Sequence, residues 1–134
     1  MTALPDVTED TRDFWEGGAQ GELRIHRCRS CRQWFHPPAP VCPHCFSRDV
    51  GPEVASGLAT VVAYTVNHHP WWPGMVVPYV VALVELNEQA DVRLTTRLVD
   101  CAPDDVHFGL PVAVVFEPAD DVWLPLFRPT SEGA

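Results

Sequence analysis

Two Cys-x-x-Cys pairs separated by ten residues, Cys28-Arg-Ser-Cys31 and Cys42-Pro-His-Cys45, constrain this 134-residue chain more than any other feature. Each pair can close a tight knuckle that aims two thiolates at one ion, and the intervening residues bring the second pair across. Four thiolates at this spacing are the ligand set of a zinc ribbon. Closed coordination leaves no position for water or substrate, so the zinc is expected to be structural. Binding it supplies on the order of 10 kcal/mol to a module too small to have its own core. Iron in a redox role is the alternative for such a set, but nothing else in the sequence resembles an electron-transfer protein. His44, inside the second knuckle, reads as a solvent-facing residue. Arg32 and Phe46 stand where many ribbons place Gly, which predicts strain in both knuckles.

The fifth cysteine, Cys101, leaves an odd count, and with the other four in CxxC pairs a secreted disulfide framework fits poorly. A lone Cys after a strand reads as a small buried hydrophobe. No stretch approaches the roughly 18 uncharged apolar residues of a membrane-spanning helix, and the start MTALPDVTED lacks a basic region and an apolar core. The expectation is a soluble, cytoplasmic protein without a membrane partner. Nine Arg and no Lys stand against eighteen acidic residues, a net charge of −9. Residues 51 to 134 hold eleven acids and three Arg, which disfavours a phosphate-backbone partner. The one basic patch is the ribbon, with Arg24, Arg27, Arg29, Arg32 and Arg48.

The chain reads as three parts: an N-terminal helical segment (1–22), the ribbon (23–50) and a β-rich unit (51–134). Thr8 or Asp10 can cap a short helix carrying Phe14, Trp15 and Ala19, which Gly17, Gly18 and Gly21 then weaken. Glu22 to Arg27 alternates apolar and polar residues and predicts a strand into the first Cys pair. Beyond Pro52, five runs predict strands: Leu58 to Asn67, Pro78 to Asn87, Asp91 to Val99, Pro111 to Glu117 and Asp121 to Arg128. Five strands is the count of an OB-type barrel, and 103–108 suits the short helix between its third and fourth strands. The second run is apolar at consecutive positions from Tyr79 to Val84, which predicts that both its faces are covered. The fold class is therefore mainly β: a helix and a zinc ribbon, then a five-stranded OB-type barrel.

In order and spacing, several short pieces resemble the acyl-CoA-associated family with a rubredoxin-like zinc ribbon and an OB-fold, long filed as a domain of unknown function. They are Phe14-Trp15-Glu16, Gly21-Glu22-Leu23, both CxxC pairs, Pro37-Pro38, Gly57-Leu58-Ala59-Thr60, Gly109-Leu110-Pro111-Val112 and Pro125-Leu126-Phe127-Arg128. The resemblance implies a partner to a thiolase-fold enzyme acting on coenzyme A thioesters. The small subunit would stabilise the complex and help shape the acyl-CoA site, while the thiolase-like chain supplies the catalytic groups. The loop His68-His69-Pro70-Trp71-Trp72-Pro73-Gly74 is similar to members that work with a lipid-transfer-protein-like thiolase homologue in steroid side-chain breakdown. The implied reaction there is retro-aldol cleavage of a hydroxyacyl-CoA.

Partner or substrate contacts are expected at Phe14, Trp15, His68, His69, Trp71 and Trp72. Two Trp in a Pro- and Gly-bounded loop cannot both enter the barrel easily, so a surface that something covers suits at least one. The competing reading buries both within the chain. For Phe14 and Trp15 the competing reading is a helix packed on its own barrel. His68 and His69 lack an adjacent Asp or Cys to tune them, which favours a structural role. No nucleophile elbow, phosphate-binding Gly loop or triad is present, so no catalytic residue is assigned and the chain alone is not expected to be an enzyme. Two other functions compete. One is single-stranded nucleic-acid binding, which needs a basic groove with interleaved aromatics. The other is a stand-alone acyl-CoA carrier in which Arg24, Arg27, Arg29 or Arg32 attracts coenzyme A phosphates.

Overall fold

A computed structural model describes residues 7–9, 11–70, 73–74, 76–120 and 122–130. Trp71, Trp72 and Asp10 lie outside the described residues. The N-terminal helix α1 (Arg12–Glu16) is one turn and a half long, and a 3-10 turn (Gly17–Gln20) continues it. The N-cap is Thr11 rather than Thr8, and it makes no side-chain cap bond; Thr8 instead braces the turn ahead of the helix, its Oγ1 accepting from Thr11 N–H (3.3 Å) while Thr11 Oγ1 accepts from Thr8 N–H (2.9 Å). A helix this short has no stability of its own, so packing must hold it. Gly18 permits that packing, because a Cβ there would run into Trp123 Cβ and the Phe116 ring. The missing side chain lets the turn lie flat on the barrel and carries Phe14 into the core, where it is 7% exposed.

The ribbon is a three-stranded antiparallel sheet in the order β2-β1-β3, from β1 (Leu23–Cys28), β2 (Trp34–Phe35) and β3 (Val50–Ala55). β1 pairs with β3 from Leu23↔Ala55 to Cys28↔Val50. The ribbon sheet thus extends to Ala55. The signal in β3 was weak: Gly51, Pro52 and Glu53 break the alternation, and the pairing with β1 is what makes it a strand.

Five strands close the barrel in the order β4-β5-β6-β8-β7: β4 (Leu58–Asn67), β5 (Tyr79–Leu86), β6 (Arg93–Leu98), β7 (Pro111–Ala119) and β8 (Val122–Pro129). A 3-10 turn (Pro103–Asp105) replaces the short helix expected between β6 and β7. Ala59, Val61, Val80, Ala82, Val84, Leu94, Leu98, Val112 and Phe127 fill the interior, and Leu23, Ile25 and Trp34 of the ribbon join the same core. β5 alternates between buried and half-buried positions. The expectation that both faces are covered therefore holds only for the inner one; Val81 and Leu83 on the outer face stay half-buried. No helix among the described residues is long and apolar enough to cross a membrane.

Ribbon and barrel are clamped by one side chain. Gln89, in the turn between β5 and β6, accepts from Trp34 N–H through Oε1 (3.0 Å) and donates through Nε2 to Trp34 O (2.9 Å). It thereby acts as a one-residue strand beside β2.

Candidate metal centre and partner-facing surfaces

The four sulfurs of Cys28, Cys31, Cys42 and Cys45 all lie within 4.8 Å of one another. Cys28 Sγ is 3.6 Å from Cys45 Sγ, and Cys31 Sγ is 3.7 Å from Cys42 Sγ. A tetrahedral zinc with 2.3 Å bonds requires sulfurs about 3.8 Å apart, so the cage fits the ion. None of the four is in a disulfide. Two equivalent knuckles build it. Arg32 N–H donates to Cys28 O (3.0 Å) and Phe46 N–H to Cys42 O (2.9 Å). To close these turns Arg32 and Phe46 adopt φ of 66° and 64°, the left-handed conformation that Gly takes readily and that costs other residues strain. Cys31 N–H points at Cys28 Sγ (3.4 Å) and His44 N–H at Cys42 Sγ (3.3 Å). Backbone donation, first from Cys31, holds the Cys28 thiol down to about 6, whereas desolvation and the neighbouring sulfurs raise the Cys31 thiol to about 12, so the four sulfurs hold their protons unequally. His44 itself is exposed.

The basic patch is largely neutralised within the chain. Arg24 pairs with Glu22 (2.9 Å), Arg27 with Glu53 (3.5 Å) and Arg29 with Asp49 (3.0 Å). Arg27 also lies over the Trp34 ring, 4.8 Å from its centroid, and donates from Nε to Arg32 O (2.9 Å). Three of the four arginines that a coenzyme A carrier would use therefore already face carboxylates.

Among the expected contact residues, Phe14 is buried against its own chain, edge-on to Trp15 (4.7 Å between centroids) and beside His36 (4.9 Å). Trp15 is half-buried and lines a cleft of about 530 Å³ together with His36, Pro38, Leu94, Pro125 and Leu126. His36 Nδ1 is buried there without a hydrogen-bond partner among the described residues. Burial, followed by the nearby charge of His26, lowers the His36 imidazole to about 4. Nothing in the sequence around His36 marks it out; only its burial does. His68 and His69 are exposed. Trp71 and Trp72 fall outside the described residues. Cys101 is half-buried with its thiol raised by burial and by Asp105.

Two family models match the chain: "ChsH2, rubredoxin-like zinc ribbon domain" over residues 15–51 and "ChsH2, C-terminal OB-fold domain" over residues 53–117. A probable enoyl-CoA hydratase alpha subunit of Thermomonospora curvata is 44% identical over 126 residues, 93% of this chain. The 3-oxo-4,17-pregnadiene-20-carboxyl-CoA hydratase alpha subunit of Mycobacterium tuberculosis is 38% identical over 84% of the chain. The chain spans only 39% and 35% of the length of these two relatives. A DUF35 domain-containing scaffold protein of Methanothermobacter thermautotrophicus is 34% identical, with 82% of this chain matched to 83% of that one. Among solved structures, a chain of an Ltp2-ChsH2(DUF35) aldolase superposes with a TM-score of 0.84 at 44% identity, covering 94% of this chain and 98% of that chain. A DUF35-family protein of Sulfolobus solfataricus shares the fold at 17% identity, with a TM-score of 0.67.

Proposed function

Because this chain belongs to the DUF35 family, with the zinc ribbon and OB-fold of its ChsH2-type members, we propose that it is the non-catalytic subunit of a thiolase-fold, Ltp2-like enzyme. The proposed reaction is retro-aldol cleavage of a steroid-type hydroxyacyl-CoA side chain in the cytoplasm. The observation that carries the reading is the end-to-end likeness to the ChsH2(DUF35) chain of an aldolase. The zinc ribbon serves as a rigid block and the barrel as the docking body. The small subunit stabilises the assembly and borders the acyl-CoA site, and the enzyme chain supplies the reacting groups. His68, His69, Trp71 and Trp72 are proposed to meet the partner or its substrate, and so, separately, is Trp15.

The test is co-expression with Ltp2-type chains, purification of the complex and assay on a panel of hydroxyacyl-CoA thioesters. Cleavage is expected only from the complex. Trp71→Ala together with Trp72→Ala should weaken assembly by up to a few kcal/mol and lower activity in proportion to lost complex, with zinc content unchanged. Cleavage by this chain alone would overturn the accessory role. A second reading rests on the identity to the hydratase alpha subunit of T. curvata: the same module would serve an enoyl-CoA hydratase. Hydration of enoyl-CoA without aldol cleavage in the reconstituted complex would favour it.

A further inference from the structure

We propose that the free edge of β4 at Tyr64 and Val66 receives an extended segment of the enzyme partner as an added β-strand, an inference that rests on the accessory-subunit reading. β4 is ten residues long and pairs with β5 from Ala59 to Asn67, interrupted by one bulge. On its other side it pairs with β7 only at Leu58, Ala59 and Thr60. Val61 then exchanges bonds with the loop ahead of β7: its N–H donates to Leu110 O (3.0 Å) and its O accepts from Gly109 N–H (2.8 Å). Beyond Val61, no main-chain group among the described residues pairs with that side.

The register identifies which groups are left. Asn87 N–H donates to Leu58 O, and Leu86 N–H to Val92 O, so odd-numbered residues of β5 face β4 and even-numbered ones face β6. After a bulge between Val61 and Ala63, the pairs are Ala63↔Leu83 and Thr65↔Val81. Ala63 and Thr65 therefore bond to β5, while Tyr64 and Val66 turn N–H and C=O outward. A row of alternating main-chain donors and acceptors at this spacing is matched only by another strand.

Other described strands carry the residues that normally block such an edge: Pro52 and Glu53 in β3, Glu117 and Pro118 in β7, Pro125 and Pro129 in β8, Arg93 and Arg97 in β6. The segment Val62-Ala63-Tyr64-Thr65-Val66 has neither Pro nor charge. Apolar surface flanks it on both faces. On the outer face Ala63 and Thr65 are exposed beside half-buried Leu83 and Val81. On the other, Tyr64 packs against Phe108 (5.4 Å between centroids), a residue that is 72% exposed. A second copy of this chain is a poor occupant. Each copy carries a net charge of −9. Pairing over a few residues also covers far less than the roughly 1,200 Å² of a stable interface. An enzyme strand backed by its own fold can extend the contact over both faces.

The experiment is residue-resolved hydrogen exchange on the full chain, free and in complex with an Ltp2-type chain, with Tyr64→Pro as the variant and Tyr64→Val as its control. Proline removes the outward N–H and fills the edge but leaves the ladder to β5 intact, whereas valine removes only the aromatic ring. Expected are at least tenfold slower exchange at the Tyr64 and Val66 amides on complex formation and at least tenfold weaker binding for Tyr64→Pro than for Tyr64→Val. Exchange at the wild-type edge does not depend on the variant folding. A complex that forms with unchanged exchange at these two amides would overturn the edge inference and leave the accessory role standing. Absence of any complex would overturn both. Edge protection that rises with the concentration of this chain alone would assign the edge to a second copy instead.

Discussion

Removing zinc should unfold the ribbon and spare the barrel. The buried cluster around the metal consists of Cys28, Phe35 and Cys42, with Cys31, Ala39 and Val50 partly buried. Cys28, Cys31 and Cys42 belong to the four-sulfur cage that would hold the ion, so without it the cluster keeps one large side chain. Burial of Phe35 is worth about 3 kcal/mol at most. Zinc in a four-thiolate site supplies about 10 kcal/mol or more. The difference is large enough that the knuckles cannot persist as a metal-free fold. Leu23, Ile25 and Trp34, by contrast, belong to the main core and stay anchored there. The reporters are the amides of Arg32 and Phe46, which close the two knuckles by donating to Cys28 O and Cys42 O. Stripping the metal with a strong chelator should speed their exchange at least a thousandfold, about 4 kcal/mol of lost local stability at 1.4 kcal/mol per tenfold. Amides along β4 and β5 should change by less than tenfold. Metal analysis on the same samples should give one zinc per chain before chelation and none after. Knuckle amides that stay protected in the metal-free chain would refute the reasoning, as would barrel amides lost in parallel with them.

The remaining expectations follow from individual contacts. Gly18→Ala should destabilise by about 1 to 3 kcal/mol in urea titrations, because a Cβ there meets Trp123 and Phe116, although Ala ordinarily favours a helical turn; a stabilised variant would contradict the close approach. Gln89→Ala should cost about 2 kcal/mol by leaving the N–H and C=O of buried Trp34 without their clamp, and should raise exchange in β2 more than in β5. His36 is lowered from 6.5 to about 4 by burial, so the unfolded chain binds more protons between these values. Stability should therefore fall by about 2 kcal/mol as pH drops from 7 to 5, and His36→Phe should flatten that dependence. An unchanged pH profile in the variant would show that other groups carry it. Finally, single-stranded DNA should not bind at micromolar concentration in physiological salt, given eleven acids against three arginines in residues 51–134.

The metal site was legible because its determinants are local. Two thiols three residues apart form a knuckle whatever surrounds them, and the missing glycines at Arg32 and Phe46 announced the left-handed turns that the structure contains. The five barrel strands were legible for the same reason: alternation and turn residues recur within each run, and β4 spans Leu58–Asn67 as the pattern drew it. Tertiary structure alone decided the rest. Phe14 is core because Gly18 lets its turn touch β7 and β8, two strands a hundred residues away in sequence. β3 is a ribbon strand because β1 pairs with it, not because its own residues favour extension. Gln89 is polar and in a turn, and nothing near it in sequence says that it completes β2. Which backbone groups of β4 remain open depends on where β7 stops pairing and on the bulge that follows Val61. Ligand spacing and side-chain period are written along the chain, whereas pairing, close approach and the edges left over arise only when distant segments meet.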